Sequence, residues 1–158
     1  MKKNIFAIVL LALVSCNPVG EDLAETAVSP DGITSIKGLD LKKGEEIVFW
    51  SKVQTGQDPN SLNYNIKYSI ALNNKIVSFD STSVMEGNHT INSKVERDKK
   101  FLSGLFSDEA SSSSYEFEIE NKSFVVPENG KYDFDFKFYY TGEDFFRDNI
   151  SIVIKGKK

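Results

Sequence analysis

The side chains that most often perform catalysis or bind metals are scarce in this chain. His89 is the only histidine and Cys16 is the only cysteine. A site with several histidine ligands is therefore excluded, and a Ser-His-Asp arrangement would have to use His89. That residue lies within Glu86–Thr90, a turn-like stretch without a recognisable nucleophile motif. We predict that the protein is not an enzyme and has no catalytic residue, no bound metal and no dissociable cofactor.

Carboxylates are plentiful, so a pair of catalytic acids as in glycosidases stays open, because a sequence does not show the distance between two acids. Most of them alternate with apolar residues, as on the solvated face of a strand. Asp133 and Asp135 project from one face of a predicted strand, and Gly142–Asp144 and Asp148–Asn149 are oxygen-rich, as calcium sites are. No calcium loop of fixed spacing is present, so solvation is the better account of these acids.

Aromatic residues give the sharper functional signal. Eleven of the nineteen aromatic residues lie between Tyr115 and Phe146. Exposed rings can stack on sugars, and clustered apolar residues mark protein interfaces. The alternative is that both faces of each sheet are covered and the rings belong to the core. The candidate binding residues are Trp50, Tyr139, Phe145 and Phe146, with Trp50 out of phase with its apolar neighbours along the chain.

The N-terminus has the features of an export signal. Lys2 and Lys3 precede an uninterrupted apolar run, Ile5–Val14, which is too short for a mature membrane span of about 20 residues. The run ends in Leu13–Cys16, LVSC, which resembles the lipobox of bacterial lipoproteins. This resemblance implies that the chain is cleaved before Cys16, that the Cys16 thiol carries a diacylglycerol, and that this lipid anchors the protein to the membrane.

The predicted organisation follows from that cleavage point. Residues 1–15 form the lipoprotein signal peptide, residues 16–31 the lipidated N-terminus with a flexible tether of about 20 Å, and residues 32–158 one β-sandwich domain. Glu21-Asp22 is similar to the acidic export signal of surface lipoproteins of the Bacteroidota. The resemblance favours the outer membrane and surface display, while a periplasmic orientation stays open.

The charge balance restricts the partners. The chain has 19 basic and 23 acidic residues, and removal of Lys2 and Lys3 leaves 17 basic residues and a net charge of −6 with His89 neutral. A general nucleic-acid surface needs net basic patches, so no nucleic acid is expected as a partner. The expected partners are the membrane, through the lipid, and a glycan or an envelope protein. A single cysteine also excludes an intramolecular disulfide.

Period-two alternation predicts strands along most of the chain. Leu62–Leu72 alternates apolar and polar residues, and Asn73-Asn74 suits the tight turn of a hairpin with Lys75–Phe79. Lys131–Tyr140 places five aromatic residues on one face and is typical of a half-buried antiparallel strand. Further strands are predicted at Ile47–Val53, Val84–Val95, Tyr115–Ile119, Ser123–Val126 and Ile150–Ile154.

Many short strands with one possible helix, at Arg97–Phe106, predict an all-β protein with an antiparallel β-sandwich of jelly-roll or immunoglobulin-like type. Phe124–Phe134 resembles the F-x-V-P-x-x-G-x-Y-x-F hairpin of extracellular jelly-roll and carbohydrate-module-like sandwiches. Leu41–Phe49 resembles the opening strand of such modules. These resemblances imply the fold and little about the function, because such sandwiches host many functions.

The leading hypothesis is a lipid-anchored lipoprotein of the cell envelope that acts as a non-catalytic binding module for a glycan or a partner protein. Two alternatives stay open. The first is a structural or assembly subunit of an envelope machine for motility, secretion or adhesion. The second is a periplasmic inhibitor or immunity protein.

Overall fold

The structure, a computed structural model, describes residues 19–30, 32–97, 113–140 and 148–157. These residues contain nine β-strands, one 3-10 turn at Pro59–Ser61 and no α-helix, which confirms the all-β prediction. The strands are β1 (Glu21–Ala27), β2 (Ile33–Leu41), β3 (Glu46–Thr55), β4 (Tyr64–Leu72), β5 (Lys75–Ser83), β6 (Thr90–Arg97), β7 (Ser113–Val125), β8 (Gly130–Tyr140) and β9 (Asn149–Lys157).

The strands form two antiparallel sheets that pack face to face. Sheet A has the order β1-β9-β3-β7-β6, and sheet B has the order β2-β8-β4-β5. Only β4–β5 and β6–β7 are consecutive strands of one sheet, so most connections cross between the sheets. This order is that of a jelly roll with β6 added at one edge. The predicted β-sandwich is therefore confirmed, in the first of its two predicted forms.

The core lies between the inner faces of the two sheets. β4 and β8 alternate strictly between buried and more exposed residues, as their period-two patterns predict. Phe49 of sheet A lies at the centre, with edge-to-face ring contacts at centroid distances of 4.9 Å to Tyr68, 6.0 Å to Phe134 and 5.7 Å to Phe136. Such contacts between sheets add to the burial energy of the rings. The predicted faces of β8 are therefore confirmed.

The predicted hairpin between β4 and β5 is also confirmed. Asn73 and Asn74 have φ angles of 51° and 63°. A two-residue hairpin turn with both central residues at positive φ matches the twist of the flanking strands, and asparagine tolerates that backbone conformation. The turn therefore sets the register that pairs Leu72 with Lys75.

Two predictions about strand connections are wrong. Tyr115–Ile119 and Ser123–Val126 are not separate strands, because β7 runs through Ser113–Val125 with a bulge opposite Phe49 and Trp50. Phe124–Phe134 is not a hairpin, because it joins β7 of sheet A to β8 of sheet B. The aromatic pattern is nevertheless satisfied, since Phe124 and Tyr132 make a ring contact across the core at 6.3 Å.

The predicted boundary between tether and domain is wrong as well. Glu21–Ala27 form β1, which pairs with β9 along the edge of sheet A. No residue of β1 is fully buried, so the strand lacks the apolar period that would have revealed it. Its backbone hydrogen bonds to β9, rather than side-chain burial, hold it in place. The sandwich thus begins at Glu21, while the predicted helix at Arg97–Phe106 lies outside the described residues except for Arg97, which ends β6.

Candidate functional site

The structure separates the predicted site residues. Cys16, Phe145 and Phe146 lie outside the described residues. Tyr139 is 38% exposed on the outer face of β8, which confirms its predicted exposure. Trp50 is only 2% exposed, so the prediction that it is available to a ligand is wrong.

Trp50 is buried because the outer face of sheet A is covered. Its side chain packs with Val48 and Val153 under the partly buried Val19 and Ile91, and we call these five residues the sheet A cluster. The sequence carried a signal for this arrangement. The run Ile47–Trp50 is continuously apolar, which is typical of a strand buried on both faces.

Lys155 closes the sheet A cluster. Its Nζ atom lies 5.0 Å from the centroid of the Trp50 ring, 3.0 Å from Glu118 and 3.1 Å from Asp22. Its side chain is only 7% exposed. Burial disfavours the ammonium, but the hydrogen bonds that it donates to the Glu118 and Asp22 carboxylates, together with their negative charges, outweigh this effect, so the pKa of Lys155 is raised. This ion cluster therefore belongs to the packing of sheet A and leaves the Trp50 ring no free face.

Tyr139 lies in a different environment. The outer face of sheet B carries a shallow depression of about 160 Å³, which we call the Tyr139 depression. Two exposed apolar side chains, Ile33 at 65% and Phe79 at 69% exposure, flank it. Its lining residues are Ile33, Lys67, Tyr68, Ser69, Phe79, Asp135, Lys137 and Tyr139. Apolar surface and polar groups therefore lie together on an open face of sheet B.

The register of sheet B explains how these residues meet. Neighbouring strands of a sheet lie about 4.8 Å apart, so residues paired in register stand side by side on one face. One row across the face consists of Ile33, Lys137 and Lys67 from β2, β8 and β4. The next row consists of Ser35, Asp135, Ser69 and Phe79 from β2, β8, β4 and β5. All four strands of sheet B thus contribute to one surface.

Both lysines of the first row contact the Tyr139 ring. The Nζ atoms of Lys67 and Lys137 lie 4.8 Å and 5.4 Å from the ring centroid. Ammonium groups at this distance are attracted by the ring electrons, by roughly 0.5–1 kcal/mol at exposed sites. The sequence showed Tyr139 as an out-of-phase aromatic residue, but it gave no indication that Lys67, far along the chain, would join it.

The acids of β8 pair with β2. Asp135 accepts hydrogen bonds from Ser35 Oγ at 2.5 Å and Lys37 Nζ at 2.7 Å, which lower its pKa. Asp133 accepts a hydrogen bond from the Gly38 amide at 2.8 Å. Gly38 has a φ of 70° and lies in a β2 bulge, where this amide turns toward β8. Solvation alone is therefore an incomplete account of these two acids.

His89 is an exposed loop residue, as predicted. Its side chain is 72% exposed, and its Nδ1 atom lies 2.7 Å from Glu120 Oε2. Asp148, predicted to lie in an oxygen-rich loop, is instead buried and accepts a hydrogen bond from the Tyr64 hydroxyl. Among the described residues, no group of three or more histidine, cysteine or acidic side chains could hold a metal ion.

Comparisons with protein families, curated proteins and solved structures find no match to this chain. Within the described residues, no helix is long and apolar enough to cross a membrane. The Tyr139 depression is a candidate site among the residues that the structure describes, and Tyr139 is the residue there that sequence reasoning found. Lys67, Lys137 and Phe79 are the residues that it missed.

Proposed function

We propose that this protein is a non-catalytic binding module, held in the cell envelope by a lipid on Cys16, that captures a glycan or a partner protein through the Tyr139 depression. The proposal is supported by a difference between the outer faces of the two sheets, since among the described residues only that of sheet A is covered by neighbouring residues. Sheet A buries the aromatic residue of its outer face, whereas sheet B leaves Tyr139 and Phe79 in contact with solvent.

The chemistry of the depression supports binding. An exposed aromatic ring offers a flat apolar surface, and such a ring contributes about 1–3 kcal/mol when a planar group stacks on it. Ser69, Lys67 and Lys137 add hydrogen-bond donors around the ring. The one histidine supports a non-catalytic role, because its close polar neighbour is Glu120 on the outer surface of sheet A.

The lipid anchor is proposed from the lipobox resemblance. Because β1 begins at Glu21, the chain between Cys16 and the sheet spans at most roughly 18 Å. We expect Cys16→Ala to abolish labelling with a fatty-acid probe and to prevent cleavage. Ser15→Ala, which keeps the thiol, is the matched control. Equal labelling of Cys16→Ala and the parent chain would contradict the lipoprotein assignment.

Binding is tested with a panel of immobilised glycans. Tyr139→Ala and Phe79→Ala should each weaken capture of the bound glycan by about tenfold. Both variants should stay folded, and Phe79→Ala should keep the melting temperature of the parent chain. Val95→Ala is the matched control, because Val95 is 52% exposed on β6 and lies on the other sheet. If every variant that loses capture also loses stability, the rings serve the fold and the proposed site is wrong.

One observation favours a second candidate, an assembly subunit. β5 is an edge strand of sheet B, and Ile76 at 60% and Phe79 at 69% exposure make it apolar. Exposed edge strands can accept a strand from another protein. Ile76→Lys should then disrupt a complex isolated from the envelope, while Tyr139→Ala leaves that complex intact.

A further inference from the structure

The two lysines of the Tyr139 depression form an unfavourable pair in the protein alone. Lys67 and Lys137 are directly opposite each other on the central strands β4 and β8, and both ammonium groups lie near one ring. Like charges directly opposite in a sheet destabilise it. This repulsion opposes the attraction of the two ammonium groups to the Tyr139 ring.

The nearby acid does not neutralise these lysines. Asp135 is held by Ser35 and Lys37, at 2.5 Å and 2.7 Å. Among the described residues, neither Lys67 nor Lys137 has a carboxylate oxygen within 4.0 Å, the distance of an ion pair. The depression thus keeps a local positive charge on a chain whose overall net charge is −4.

The hydrogen bonding of the strands under the depression limits the kind of anionic ligand that can bind there. β4 and β8 each pair with a strand on both sides, so their backbone groups are engaged. The backbone of β4 and β8 therefore has no free edge for an added strand, and recognition at the Tyr139 ring depends on side chains. A sugar ring presents an apolar face and polar groups at the same time. The apolar face suits the Tyr139 ring, and a carboxylate on the sugar suits the two ammonium groups, which lie over that ring in the protein alone.

We propose that the Tyr139 depression binds a glycan that carries carboxylate groups, a chain with uronic acid residues. Tyr139 stacks on the face of one sugar, and the ammonium groups of Lys67 and Lys137 donate hydrogen bonds to its carboxylate. Ser69 and the flanking Phe79 complete the contact. This inference rests on the proposed binding function and specifies the chemistry of the ligand.

The test uses the full chain purified in detergent and titrated by calorimetry with oligogalacturonate, oligomeric alginate and oligomeric hyaluronate. Fully methyl-esterified oligogalacturonate is the matched neutral probe, and oligoglutamate is the acidic peptide probe. At least one uronic acid oligomer should bind, with an affinity that falls as salt screens the charges. Lys67→Gln and Lys137→Gln should each weaken it about tenfold, the loss expected for one hydrogen bond between charged groups.

Lys94→Gln is the control for the loss of one positive charge, because Lys94 is 66% exposed on β6 of sheet A. It should leave the affinity within about twofold, since exposed charges beyond a Debye length are screened. Failure of all three uronic acid oligomers to bind, or equal binding of the methyl ester, overturns the inference. Equal binding of oligoglutamate overturns the choice of a glycan. If the methyl ester binds equally and Tyr139→Ala weakens it, the proposed function stands while the acidic ligand is wrong.

Discussion

The outer faces of the two sheets carry the same pair of chemical groups in opposite environments. On sheet A the Lys155 ammonium lies 5.0 Å from the Trp50 ring, and on sheet B the Lys67 ammonium lies 4.8 Å from the Tyr139 ring. Lys155 has two carboxylates within ion-pair distance, whereas Lys67 faces a second lysine. The Lys155–Trp50 pair is buried, whereas the Tyr139 ring beside Lys67 is exposed to solvent.

The difference shows that residue type does not decide whether an aromatic residue on the outer face of a sheet is buried or exposed. Trp50 is covered by Val19 and Ile91, which come from the segment before β1 and from β6. Sheet B has no comparable cover among the described residues, because its edge strands β2 and β5 lie in the plane of the sheet. An aromatic residue that is covered by neighbouring segments becomes part of the core, whereas one without such cover stays exposed to solvent.

The largest expected effect separates the two rings by stability. Trp50→Ala should lower the free energy of unfolding by about 3–5 kcal/mol, because it empties a buried site. Tyr139→Ala should lower it by at most about 2 kcal/mol, because it removes two exposed cation–π contacts of roughly 0.5–1 kcal/mol each. Urea denaturation measures both. Similar losses for the two variants would remove the distinction between the faces.

The next effect concerns the ion cluster of sheet A. Lys155→Met keeps the apolar stem over Trp50 but removes the charge from Glu118, which is 13% exposed. We expect a loss of about 1–3 kcal/mol in the free energy of unfolding, because a buried carboxylate is left without its cation. Lys52→Met is the control, since its ion pair with Glu25 is exposed and long at 3.8 Å. An unchanged free energy of unfolding in Lys155→Met would show that the sheet A cluster is held by packing alone.

The pH dependence of that difference is a finer test. The pKa of Lys155 is raised in the folded protein, so its stabilising contribution is complete below the ordinary lysine pKa. It is lost as the pH rises through the raised value. The gap in stability between the parent chain and Lys155→Met should therefore be constant from pH 7 to 9 and shrink above about pH 10.4. A gap that grows in this range would contradict the raised pKa.

The smallest expected effect lies on sheet B. Lys137→Gln removes one member of the like-charged pair and leaves Lys67 near the Tyr139 ring. We expect the free energy of unfolding to change by less than about 0.5 kcal/mol, because relief of the repulsion opposes the loss of the cation–π contact of Lys137. The change should be more favourable at low salt, where the relieved repulsion is less screened. A loss of more than about 1 kcal/mol would indicate that Lys137 supports the fold rather than a ligand.

Sequence periodicity alone was sufficient to predict the strands that have one buried and one exposed face. β8 alternates aromatic and charged residues, and Asn73-Asn74 ends β4 at a turn, so local pattern and turn chemistry were sufficient there. β1 escaped prediction because an edge strand held by backbone pairing needs no apolar face. The Phe124–Phe134 segment was misplaced because two facing aromatic residues satisfy the same pattern within one sheet or across two.

The exposure of each aromatic residue, and the charges next to it, depend on how the strands pack and pair in three dimensions. The sequence pattern places both Trp50 and Tyr139 on the outward face of a strand. In the structure they differ, because Val19 and Ile91 pack over Trp50 but not over Tyr139. Lys67 and Lys137 are seventy positions apart and become neighbours through the pairing of β4 with β8. Burial and charge at a surface depend on long-range pairing, whereas strand periodicity is a property of a few consecutive residues.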